Sequence, residues 1–104
     1  MIHLQIYSKE EQIIEKIAAL LIHNELAIDL TIDRDVERLS LVNEKVEYTK
    51  VYLLSAKTKS LLFRKIETLL KSELQNNMPE LYSLPIVQMD WKQAEYLTEL
   101  TQKV

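Results

Sequence analysis

The residues best placed to do chemistry are acids on one short stretch, DLTIDRDVE, where Asp29, Asp33 and Asp35 recur at odd positions with Glu37 beyond them. In an extended strand such positions share a face, and successive ones stand about 6.5–7 Å apart. Carboxylates arranged in this way offer oxygen ligands to a hard divalent ion, or to several ions where copies of the chain meet. The plainer reading is a solvated or interface face that pairs with Arg34, Arg38 and neighbouring lysines. Metal sites usually converge from several elements rather than along one strand. His3 and His23 are the only imidazoles. Either suits a borderline metal, but they lie on separate elements and lack His-x-His or His-x3-His spacing. His3 joins the three aspartates as a candidate ligand, with an ordinary surface histidine as the plainer reading.

Other chemistries find less support. There is no cysteine, which excludes thiolate metal sites, disulfides and thiol nucleophiles. Ser55 and Thr58 have no partnering base nearby in sequence, and a serine–histidine–acid triad would need His3 or His23 without independent support. Acid–base pairs exist only in the sense that 16 acids are present, so no catalysis is expected. There is also no glycine, where average usage of about 7% would supply roughly seven. Phosphate-cradling loops need glycine to let backbone N–H groups approach the anion. Nucleotide binding in the usual style is therefore not expected. Tyr48, Tyr52, Tyr82 and Trp91 suit an aromatic pocket or, more simply, core and interface packing.

The elements that must position these residues read as follows. Ile2, Leu4 and Ile6 alternate with His3, Gln5 and Tyr7, the period of a half-buried strand. Ser8 and Glu11 have capping-box spacing, and an apolar stripe from Ile13 to Leu21 follows at helical spacing. Asn24 stands where a left-handed C-terminal residue is expected. Residues 27–57 read as a long strand, a turn near Asn43-Glu44 and a returning strand. The tips of these arms carry more apolar side chain than one small core covers, which points to burial against another subunit. Thr58 or Ser60 caps a second helix with Leu61, Leu62, Phe63, Ile66, Leu69, Leu70 and Leu74, ending at Asn76-Asn77. ELYSLPIV is a strand bracketed by Pro79 and Pro85. Because proline cannot donate to a ladder, that strand belongs at a sheet edge. Asp90 caps a last helix. The fold class expected is α+β, a ferredoxin-like split βαβ sandwich with an antiparallel sheet and helices on one face.

Length, charge and hydropathy set the bounds. The 104 residues make one domain, residues 1–104. A net charge of −3 with scattered basic residues argues against nucleic acid. The N-terminus, MIHLQIYSKEEQ, lacks the pattern of a signal peptide, and no apolar run suits a membrane span. The expectation is a cytoplasmic protein with no membrane partner.

On three blocks the sequence resembles the CutA divalent-cation-tolerance proteins. MPELYSLPIV is similar to that family's Val-Pro-Glu-Ile-x-x-Leu-Pro-Ile, and LLSAKTKSLL to its Leu-Leu-Leu-Ile-Lys-Thr-Arg. ALLIHNELAIDLTI is similar to its Ala-Leu-Val-x-x-x-Leu-Ala-Ala-Cys-Val-Asn-Ile. The matching positions are Ala27, Lys57, Thr58, Pro79, Glu80, Leu84, Pro85 and Ile86. The departures fall at Asp29 and Thr31, where the family has cysteine and asparagine, and at Arg34-Asp35, where it has proline-glycine. Others are Leu41-Val42 for an aromatic pair, Glu44 for the hairpin glycine and Leu74–Asn77 for His-Pro-Tyr-Glu. The resemblance implies a homotrimer joined through its sheets, with a divalent-cation tolerance, binding or signalling role. It implies no cofactor beyond a divalent metal ion, and it adds Glu80 to the candidate ligands. A PII-like regulatory module is the alternative. That group shares the fold and trimeric habit but binds ATP through glycine-bearing loops, so here it would act without a nucleotide, on an unidentified protein partner.

Overall fold

A computed structural model describes residues 1–104. The chain runs β1 (Ile2–Ser8), α1 (Glu11–His23), β2 (Ile28–Val42), β3 (Lys45–Thr58), α2 (Phe63–Leu74), β4 (Glu80–Pro85) and α3 (Trp91–Leu100). Short 3-10 turns at Ser60–Leu62 and Gln75–Asn77 flank α2. The strands form one sheet in the order β2-β3-β1-β4, and all three pairings are antiparallel. This is the ferredoxin-like split βαβ order expected from the hydrophobic periods.

One face of the sheet is covered. Ile2, Leu4 and Ile6 of β1 and Leu54 and Ala56 of β3 meet Ile14, Ile17 and Leu21 of α1 and Ile66, Leu70 and Leu74 of α2 in a cluster of 14 buried residues. The alternate residues of β1, namely His3, Gln5 and Tyr7, face away from the helices. β4 is short and lies at the edge, where Pro85 is its last paired residue, opposite Ile2. The edge position explains the bracketing prolines, since the missing N–H of Pro85 interrupts no central ladder.

β2 and β3 are long, 15 and 14 residues. Only the half of β3 from Tyr52 to Thr58 pairs with β1; the remainder is a two-stranded arm. Its turn is the two-residue loop Asn43-Glu44 between the pair Val42 and Lys45. Both loop residues have left-handed backbone, φ 51° and 66°, as the tight hairpin turn matching strand twist requires.

Three local expectations are corrected. Ser8 does not cap α1: its Oγ accepts from the Glu10 backbone N–H at 3.1 Å, and Glu10, with no side-chain cap bond, holds the N-cap position. The left-handed residue after α1 is Glu25, φ 52°, while Asn24 uses its side-chain amide to donate to the Leu20 carbonyl at 2.8 Å. Neither Thr58 nor Ser60 caps α2. Thr58 is fully buried and donates to the Leu26 carbonyl, and the Ser60 hydroxyl accepts from the N-terminal amine. Asp90 does cap α3, its Oδ2 accepting from the N–H groups of Lys92 and Gln93.

Candidate functional site

The helix-free face of the sheet is organised in cross-strand rows. One row holds Ile28, Lys57, His3 and Leu84; the next holds Thr31, Ser55, Gln5 and Tyr82; the third holds Asp33, Leu53, Tyr7 and Glu80. Residues opposite one another in a ladder share a face. His3, Asp33 and Glu80 therefore lie on one surface but not in one place. Asp33 and Glu80 end the same row at opposite edges of the sheet, three strand spacings or about 14 Å apart.

Two irregularities in β2 dispose of the idea that its acids form one stripe. The register slips between Ile28 and Thr31, and again between Asp33 and Val36, with one extra β2 residue each time. Each such bulge shifts the alternation of faces by one residue. Asp29 sits in the first bulge with φ 53°, and its Oδ2 accepts from the Lys57 ammonium at 3.4 Å. Arg34 and Asp35 sit in the second. Asp33 Oδ1 accepts from the Asp35 N–H at 2.9 Å, a local turn that replaces ladder bonding. Arg34 swings instead to the helix side and pairs with Glu11 and Glu15 of α1 at 2.7 and 3.2 Å. Beyond the bulge Glu37 lies opposite Lys50, on the other face from Asp33. No group of three or more histidine, aspartate or glutamate side chains is close enough to hold one metal ion. His3 Nδ1 lies 3.4 Å from the Gln5 amide nitrogen.

The most built polar cluster was missed in the sequence. Arg38, out on the arm, reaches over the end of β1 and donates to both carboxylate oxygens of Glu80, at 2.5 and 3.0 Å. Its guanidinium lies over the Tyr7 ring, 5.0 Å from the centroid. Tyr7 in turn stacks with Tyr82, centroids 6.1 Å apart. The planar fork of arginine matches a carboxylate bidentately and packs on an aromatic face, so one residue serves both contacts. The Glu80 hydrogen bonds hold the Arg38 pKa above its ordinary value. The adjacent Tyr82 phenol, and then burial, push the Tyr7 hydroxyl up. Alongside lies a 380 Å³ pocket lined by Lys9, Val51 and Met78 among others. The cluster ties the arm to the edge strand β4. Its signal in the sequence was Tyr7, on the polar-facing register of β1 beside an edge-strand glutamate. Nothing local announced Arg38, because 42 residues separate it from Glu80. The other aromatics do not join: Tyr48 and Trp91 are exposed, and Tyr52 packs against the core.

A family model described as CutA1 divalent ion tolerance protein matches residues 2–100. Among solved structures, the divalent cation tolerance protein Cut A1 from Thermus thermophilus is 24% identical with a TM-score of 0.82, over 98% of this chain and 100% of that one. CutA1 from Oryza sativa is 23% identical with a TM-score of 0.83, over 99% and 94%. The periplasmic divalent cation tolerance protein CutA from Archaeoglobus fulgidus is 19% identical with a TM-score of 0.81, over 98% and 100%. A comparison with curated protein sequences finds no match. Identities this low establish the shared fold, and chemistry must be argued from the residues.

Proposed function

Because the chain belongs to the CutA1 divalent ion tolerance family, we propose that it serves divalent cation tolerance as a homotrimer whose cation ligands come together only where chains join. The observation that carries this reading is the row ending in Asp33 at one open sheet edge and Glu80 at the other. Both β2 and β4 have one unpaired side, and unpaired edges are templates for pairing with another chain. A head-to-tail contact closes into a ring when its rotation permits. In such a ring the Asp33 end of one chain faces the Glu80 end of the next. Asp33 of one chain and Glu80 of the next, the latter exchanging its Arg38 partner for the ion, then supply the convergence that one chain lacks, and oxygen donors suit a hard divalent ion.

The exposed apolar side chains fit the same assembly. Leu41 is 73% exposed and Tyr48 65%, and Tyr82 and Leu84 lie open on the row face. Patches of this kind mark contact surfaces. The test combines sedimentation with calorimetric titration of copper, zinc and ATP. The reading requires a trimer that takes up metal, with a melting temperature that rises as the logarithm of metal concentration. A trimer with no heat and no thermal shift at saturating metal removes the chemical basis of the tolerance role. Heat from ATP would favour a nucleotide-sensing module instead.

A further inference from the structure

The second bulge of β2 aims a cation at the carboxylate that the proposed ring gives to metal. Past the slip between Asp33 and Val36 the alternation of faces is shifted by one residue. Val36 and Arg38, opposite Val51 and Thr49, therefore share the row face with Asp33, Leu53 and Tyr7. An unbroken strand would put Arg38 on the other face from Asp33. From the row face it closes on Glu80 with two hydrogen bonds, of 2.5 and 3.0 Å, one to each carboxylate oxygen. The contact is made within one chain and needs neither an open surface nor a second copy. Glu80 is the more open partner, its side chain 57% exposed against 33% for Arg38.

We propose that Arg38 is a built-in competitor of the divalent ion, so that metal loading and docking of the arm oppose one another; this rests on the metal reading above. A bidentate arginine fork takes both oxygens of its carboxylate. A dication on the same oxygens stands close to the guanidinium, and like charges repel. The Tyr7 ring supports the guanidinium from one side, 5.0 Å from its centroid, but carries no full negative charge to hold it beside a dication. Because the pair fastens an arm residue to the edge strand β4, an ion on Glu80 frees the arm, and a docked arm weakens the ion. Linkage makes the two effects equal: the factor that the tie costs the ion is the factor that the ion costs the tie. For an exposed pair that factor is about two- to fivefold.

The test is calorimetric titration of the intact protein with zinc, beside Arg38→Met, Lys9→Met and Glu80→Gln, with sedimentation and a melting curve to verify assembly and folding. Arg38→Met keeps an unbranched apolar stem without the fork, and should bind zinc about two- to fivefold more tightly. Arg38→Lys, which keeps the charge but loses the fork, should fall between it and the parent. Lys9 lines the same pocket as Arg38 and Glu80, so Lys9→Met removes an equal charge without breaking the pair and should change affinity less. Zinc should accelerate amide exchange in residues 36–51 of the parent by a similar factor. In Arg38→Met that exchange should already be fast and indifferent to zinc. Equal zinc affinity in Arg38→Met and the parent, a gain matched by Lys9→Met, or exchange in the parent that ignores zinc overturns the competitor. Weaker binding by Arg38→Met does so too, since Arg38 would then be positioning Glu80 for the ion. Failure of the metal reading itself looks different: Glu80→Gln would bind zinc as the parent does, or the parent would bind none, and the competitor would fall with it.

Discussion

Glu25, Asp29, Asn43, Glu44 and Gln75 have positive φ in a chain with no glycine to take those positions. For residues with a Cβ this conformation costs roughly 1–2 kcal/mol, least for asparagine and aspartate. Glu44 is the plainest instance, at φ 66° in the second position of a tight hairpin turn. Glu44→Gly should stabilise the fold by about 0.5–1 kcal/mol, since relief of backbone strain exceeds the added freedom of the unfolded chain. Thermal denaturation checks this, with a rise of about 4–8 °C per kcal/mol at this size. A second expectation concerns Glu67, whose carboxyl is held below its ordinary value of 4.5, chiefly by the hydrogen bond from Arg64 and further by Lys71. A depressed carboxylate contributes stability above its unfolded value and loses it as pH falls through the folded one. Glu67→Gln should therefore lower stability slightly at neutral pH, converge with the parent in acid and so flatten part of the acid limb below about pH 4.5, as read from urea unfolding across pH. At this scale the sequence was legible by residue type and misleading by spacing. The aspartates of β2 are present, but the assumption of an unbroken strand failed at two bulges that no glycine marked.

Among elements, the hydrophobic periods were reliable guides, and the caps were not. The β1 alternation, the stripes of α1 and α2, the Asn43-Glu44 turn and the edge position of β4 follow from apolar spacing and from proline. Ser8 has the spacing of a cap yet bonds the Glu10 N–H, ahead of the helix, because β1 continues through Ser8. Asp90 is a true cap, and Asp90→Ala should cost about 1 kcal/mol, within the roughly 0.5–2 usual for such changes, measurable by chemical denaturation. The arm supplies the next expectation. Arg38→Ala removes both the bidentate pair with Glu80 and the contact over Tyr7. Exposed pairs contribute at most about 1 kcal/mol, so global stability should change little. Amide exchange in residues 36–51 should nevertheless accelerate, since the arm loses its side-chain tie to β4. Unchanged exchange there would show that backbone pairing alone sets the arm's position. A tie between residues so distant in sequence has no local signature, which is why the pattern of apolar and polar residues did not disclose it.

The whole molecule is drawn out rather than round. Its extents are 48 × 30 × 20 Å and its radius of gyration 14.9 Å, against about 13 Å for a compact chain of this length. The difference is the arm, whose tip exposes Leu39, Leu41, Val46 and Tyr48. Two open sheet edges, an uncovered face and a protruding apolar tip all leave surface that a second and third copy would cover. The same geometry leaves carboxylates dispersed in one chain, and in the ring proposed above they would meet only across a junction. Sedimentation equilibrium of the purified chain tests this most directly. The account predicts a single species of three times the 12.3 kDa chain mass that persists on dilution, and Leu41→Ser with Tyr48→Ser should shift it toward smaller species. A well-folded species of one chain mass at the same concentrations would contradict it.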